Sequence, residues 1–132
     1  MKNTNIKAEF LIFSNELHPN IITEKLEINP TQSWVKGDDI KGKNHKKEDN
    51  CWIISTEYEE SLDINNQLSQ LLVILQDQKE MLIEFKKKYD MKYIVEIVVK
   101  IRDEQTPAMY FERECITFIN DIQAVIDIDL YV

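Results

Sequence analysis

The side chains able to do chemistry here are two cysteines, two histidines, a pair of carboxylates and two tryptophans, and each has a specific demand to meet before it can act. Cys51 and Cys115 are the only thiols in the sequence. A thiolate attacks or binds metal when a base or a positive charge lowers its pKa. Cys51 instead opens an apolar run and Cys115 lies on an apolar helical stripe, where thiols act as small hydrophobes. No CxxC spacing gives them a redox or zinc role, and two cysteines are too few for the disulfide framework of a small secreted domain. His18 and His45, the only histidines, would have to join both thiols to fill a four-ligand zinc site, and no paired local spacing gathers them. His18, beside Pro19, reads better as a helix cap or a surface residue. The sequence holds no P-loop, no GxGxxG and no GxSxG, so nothing announces a phosphate cradle or a serine nucleophile. No catalytic residue, metal or cofactor is expected, and the reading leans away from an enzyme.

Two constellations remain. Asp127 and Asp129 project from one face of a strand, with roughly 6.5 to 7 Å between their Cα atoms. A hard cation needs six or more oxygens, and glycoside hydrolysis needs carboxylates set across a cleft, neither of which one strand supplies. The pair is expected to be a solvated face or, with Tyr131, an acidic docking surface. Trp34 and Trp52 lie near Gly37-Asp38 and near Lys41, Lys43, Lys46 and Lys47, a grouping that could stack and neutralise a phosphate-bearing ligand. The structural reading is preferred: one or both indoles pack beneath a long helix, Gly37 serves a turn, and the lysines keep a loop soluble.

Charge narrows the partners. Sixteen basic residues against twenty-four acidic ones leave a formal charge of −8, which opposes binding to phosphate backbones. Residues 102–132 hold seven carboxylates against Arg102 and Arg113, a local balance of −5. A basic protein is therefore the expected partner, nucleic acid and membrane are not, and the sequence fixes no oligomeric state. Residues 1–13 lack the apolar core of a signal peptide and no run nears the ~20 apolar residues of a membrane span, so a cytoplasmic protein is expected.

The elements that must position these residues follow from periodicity. With 132 residues, 43% of them hydrophobic, and only two glycines, one globular domain spanning 1–132 is expected. Ile6, Ala8, Phe10 and Ile12 recur at period two and predict a strand. Pro19 starts a short helix that Asn29-Pro30 ends. Residues 31–35 and 51–56 predict a hairpin with a long polar loop between its strands, carrying one tryptophan on each arm. From Ile64 through Leu68, Leu71, Leu75, Leu82 and Phe85 to Tyr89, apolar spacings of three, four and seven predict a long helix or two helices meeting near Gln76, where Asp77 and Glu80 could cap a second one. Tyr93, Val95, Ile97, Val99 and Ile101 predict a strand in the middle of the sheet. Cys115, Ile116, Phe118, Ile119 and Ile122 predict another helix. The last strand alternates Ile126, Ile128, Leu130 and Val132, expected to be core, with Asp127, Asp129 and Tyr131.

The resulting order is β-α-β-β-α-β-α-β: an α+β fold with a mainly antiparallel sheet of about five strands, one long and two short helices packed on it, and a distant ferredoxin-like layout. Along this order, His18-Pro19-x-x-Ile22, Pro30-Thr31-x-x-Trp34-x-x-Gly37-Asp38, Trp52, and Asp127-Ile128-Asp129-Leu130-Tyr131 resemble the DUF4279 family of uncharacterised bacterial proteins. That resemblance spans nearly the whole chain and implies no reaction. The expected function is a non-enzymatic protein-binding domain, with a toxin-immunity factor as one form of it by analogy of size and charge. The rival is a small-ligand binder or enzyme with a pocket beside the Trp34/Trp52 hairpin.

Overall fold

The computed structural model describes residues 3–132 and has the α+β order expected. Its first strand, β1 (Asn5–Ser14), places Ile6, Ala8, Phe10 and Ile12 on one face with no exposure at all. Their period of two matches the strand pleat, so one face must be covered. Helix α1 (Pro19–Leu26) does part of that work. His18 caps it, its Nδ1 accepting the Asn20 N–H at 3.0 Å. Proline at the first helical position costs no hydrogen bond there.

β2 (Gln32–Trp34) and β3 (Asn50–Ser55) form the expected hairpin, and β4 (Glu59–Glu60) adds a short pairing beside the start of β1. The long helical stretch is two helices: α2 (Asn65–Leu75) and α3 (Lys79–Lys88), joined by a 3-10 turn at Gln76–Gln78. The break falls where Asp77 and Glu80 mark it. The residue at the cap of α3 is Gln78, and its side chain makes no capping bond. β5 (Met91–Lys100), α4 (Arg113–Asp121) and β6 (Val125–Tyr131) complete the chain.

The sheet runs β2-β3-β1-β5-β6, with β4 also on β1. Every pairing is antiparallel except β5 with β6, which is parallel across the α4 crossover. The centre of the sheet is β1. β5, expected there, lies one strand from the edge, although it is apolar on both faces.

Register sorts the side chains. Ile12 is opposite Trp52 and Tyr93, and Phe10 is opposite Ile54 and Val95, all on the face beneath the helices. Leu68, Leu71, Leu75, Leu82 and Phe85 close that core from above. Tyr93 is wholly buried there and donates its hydroxyl to the Leu82 carbonyl at 2.6 Å, which satisfies the polar tip of a core aromatic. Lys79 and Asp121 pair across the helical layer, joining α3 to the end of α4.

One expectation fails. Ile126, Ile128, Leu130 and Val132 are not core: the first three are 36%, 40% and 47% exposed, and Val132 is fully open. They do point to the helix side, because Ile126, Ile128 and Leu130 register with the buried Val95, Ile97 and Val99. Alternation specifies a face, and whether that face is covered depends on how far the helix layer reaches. Here it stops short of the edge strand.

Candidate functional site on the helix-free face

The opposite face of the sheet carries no helix. Odd-numbered residues of β1 point to it, as do their partners: Lys7 with Val98, Glu9 with Glu96, Leu11 with Ile94, Phe13 with Lys92. From β6 come Val125, Asp127, Asp129 and Tyr131. Glu9, Glu96 and Asp127 are therefore direct neighbours across three adjacent strands, since Glu9 pairs with Glu96 and Glu96 with Asp127. Strands lie about 4.8 Å apart, and like charges opposite one another oppose folding. Glu96 shows the consequence: partial burial, and then the charges of Glu9, Asp127 and Asp129, hold its carboxyl above the usual value. Lys7 relieves the row at one end, its ammonium 3.2 Å from Glu9.

Asp129 adjoins the row and accepts the Tyr131 hydroxyl at 2.9 Å, and this bond raises the phenol pKa. Asp127, Asp129 and Tyr131 are thus brought together as expected. Tyr58 covers the upper end of the face, with the Lys7 and Lys100 ammonium groups 4.7 and 4.2 Å from its ring centre. It gets there because the edge of β1 changes partner from β3 to β4. The Thr56 N–H bonds the Ala8 carbonyl, and the Thr56 hydroxyl accepts the Ala8 N–H at 3.0 Å across the break. The sheet face therefore carries an acidic row across β1, β5 and β6, with Lys92 toward one end and a cationic-aromatic rim of Lys7, Lys100 and Tyr58 at the other. Among the described residues, no three His, Cys, Asp or Glu side chains gather to hold a metal ion.

Glu9 and Glu96 escaped sequence reasoning. They are the polar positions of strands whose apolar alternation was plain, and a polar position facing away from the core is where such a row must arise. Nothing local, however, pairs two residues so far apart along the chain.

The other candidate residues lie elsewhere. Trp34 is opposite Cys51 on the helix-free face, whereas Trp52 is opposite Ser33 and Ile12 on the helix side. The two indoles are on different faces, so they form no common platform or pocket. Trp52 packs beneath α1, where its indole N–H donates to the Thr23 hydroxyl at 3.0 Å, and the expected site under the long helix is corrected to that extent. Trp34 meets Phe13 edge-on at 6.5 Å and carries the Lys47 ammonium 3.6 Å from its ring centre.

Gly37 and Asp38 shape the connection between β2 and β3. Gly37 has φ +94°, which favours glycine, and its N–H bonds the Lys47 carbonyl at 2.9 Å. The Asp38 carboxylate accepts the Val35 N–H at 2.8 Å, and its carbonyl accepts the Lys47 N–H. The polar loop is therefore a small bonded hairpin of its own, reinforced by an Asp39–Lys46 bridge. Five surface hollows of the described residues are lined by neither tryptophan. Cys51 and Cys115 are buried free thiols, and burial pushes the Cys51 thiol up to about 12, away from the thiolate.

An α+β sheet with helices on one face and an acidic, uncovered second face defines the class of protein. The model of a family described as a domain of unknown function, DUF4279, matches residues 4–132. The chain belongs to that family. No curated protein and no solved structure matches it. No helix of the described residues is long and apolar enough to cross a membrane.

Proposed function

We propose that this chain is a non-enzymatic protein-binding domain that docks a basic protein on the acidic part of its helix-free sheet face. The observation behind the reading is the row of Glu9, Glu96 and Asp127, with Asp129 beside it and one ion pair to offset it. Such a row disfavours the free protein electrostatically, and a cationic partner would remove that penalty on docking. A toxin-immunity factor acting in the cytoplasm, shielding the cell from a basic toxin, is the specific form we favour, on the same grounds of charge and size. The rival, a small-ligand binder or enzyme with a pocket beside the Trp34/Trp52 hairpin, loses the paired indoles as a platform because they lie on opposite faces of the sheet. It would have to use a hollow that neither indole lines, such as the one between Phe13, Asp49, Lys92 and Ile94.

The test is capture of partners by the immobilised full-length chain across a salt series. Electrostatic docking predicts association that weakens steeply between about 50 and 300 mM salt. The Asp127→Asn/Asp129→Asn variant, confirmed as folded, should bind roughly tenfold less tightly at low salt. Equal binding by the variant would remove β6 from the docking surface, and salt-independent capture would count against an acidic surface altogether.

A further inference from the structure

We propose that the outer edge of β6 receives an extended segment of the partner as an added strand, and that this segment alternates apolar with basic side chains. The inference rests on the preceding reading for the sign of the partner's charge, but its geometry comes from the strand itself.

β6 is seven residues long, and among the described residues no strand pairs with its outer side. The Ile101 N–H donates to the Tyr131 carbonyl at 2.8 Å, so Tyr131 turns its peptide groups toward β5. Peptide orientation alternates along a strand, and Asp129, Asp127 and Val125 therefore do the same. Ile126, Ile128 and Leu130 turn their N–H and carbonyl groups outward. An added strand would bond to these three.

The side chains of the same three residues lie on the helix side and are 36–47% exposed. Apolar groups on an added strand would cover them and continue the core face by one strand. On the other face, the added side chains would stand beside Asp127 and Asp129, with Glu96 one strand further in. Cationic side chains are the complement there. The recognised pattern is thus apolar–basic–apolar–basic–apolar over about five to seven residues.

A second copy of the chain is the poorer occupant in every register that pairs most of β6. Two-fold antiparallel pairing of β6 with itself keeps like faces together. With Ile128 at the axis, Asp127 of each copy stands opposite Asp129 of the other, and moving the axis to either aspartate sets that residue against itself. Like charges directly opposite disfavour each of these registers. The carboxylates that repel a twin attract a basic strand.

The experiment uses the full chain and a nine-residue peptide of alternating valine and lysine. Its controls are a valine-glutamate peptide, an isomer with valines and lysines in separate blocks, and a version N-methylated along its pairing edge. Backbone hydrogen exchange and fluorescence anisotropy are the readouts. The alternating peptide should slow exchange at the Ile126, Ile128 and Leu130 amides, and N-methylation should weaken it by about tenfold or more. The glutamate peptide should not bind.

Equal binding by the block or N-methylated peptide would overturn strand addition while leaving charge docking on the acidic face intact. Failure of every lysine peptide would overturn both readings. Protection of the three amides that rises with protein concentration in the absence of peptide would instead assign the edge to a second copy and overturn the heterologous partner.

Discussion

The sheet is finished differently at its two edges. β2 offers three residues, its chain enters through a Thr31 N–H bond to the Ile53 carbonyl and leaves into a bonded loop, and Lys47 covers Trp34. Behind it β3 is almost entirely buried. β6 offers seven residues, half-exposed on the apolar side and carboxylated on the other. A free strand edge invites pairing with another chain, and proteins guard against it by keeping the edge short or by charging it. β2 is guarded by length and β6 by charge. The difference matters because shortness refuses every partner, whereas a charged edge refuses only partners of like sign.

The largest effect expected separates the two sides by depth of burial. Trp52→Ala, beside the β2 edge, should destabilise the fold by about 3–5 kcal/mol, because it leaves a cavity under α1 and orphans the Thr23 hydroxyl contact. Ile128→Ala on β6 should cost about 1–2 kcal/mol, since much of that side chain already meets solvent. Urea denaturation of the two variants measures both. Equal losses would mean that β6 belongs to the core and that the contrast between the edges is wrong.

A proline pair tests the direction of the β6 peptide groups. Asp127→Pro removes an N–H that faces β5 and should cost about 3 kcal/mol. Ile128→Pro removes one that faces outward and, with each proline measured against alanine at the same position so that side-chain losses cancel, should cost roughly 1–2 kcal/mol less than that, the loss being backbone restriction without a broken ladder bond. Thermal melts of both variants decide it. If Ile128→Pro is the more damaging, the outward triad is misassigned and no added strand could bond as described.

The same contrast shows what could be read from the residues alone. Period-two and period-3.6 patterns carried the strands, the helices and their order, because those periods are imposed by local backbone geometry. The His18 cap was legible for the same local reason, whereas one long helix and two helices meeting near Gln76 fit the residues equally, because the apolar stripe runs through the turn and the cap is Gln78 rather than Asp77. The exposure of Ile126, Ile128 and Leu130 was not, since alternation names the face of a strand and says nothing of how far the covering layer extends. Nor was the separation of the tryptophans. Trp34 and Trp52 sit on paired strands of one hairpin, and only the register, Trp34 opposite Cys51, puts them on different faces. Half of the acidic site was legible in Asp127 and Asp129. The other half, Glu9 and Glu96, is joined to it by pairings that no local sequence pattern records.

The smallest effect expected probes whether the acidic side of the contrast is held at an energetic cost. Glu96 has its folded pKa raised above the ordinary 4.5, first by desolvation and then by Glu9, Asp127 and Asp129. A raised carboxyl binds its proton more tightly in the folded state, so its contribution to stability is complete below about pH 4.5 and is lost as pH rises through the folded value. Paired carboxylates such as Glu59 and Asp63, with lowered values, act in the opposite direction. The test is therefore a difference curve between the native chain and Glu96→Gln, in which those other contributions cancel. At pH 7 the variant should be more stable by about 0.5 kcal/mol, the scale of one unfavourable cross-strand pair. Its advantage should shrink as pH falls through the raised value toward 4.5 and vanish below it. The gain should come with weaker capture of a basic partner, because the charge that strains the free sheet is the charge that would attract one. A variant that is no more stable at pH 7, or whose difference does not change with pH, would show that Lys7 and solvent already neutralise the row, and β6 would then be an edge left open without a guard.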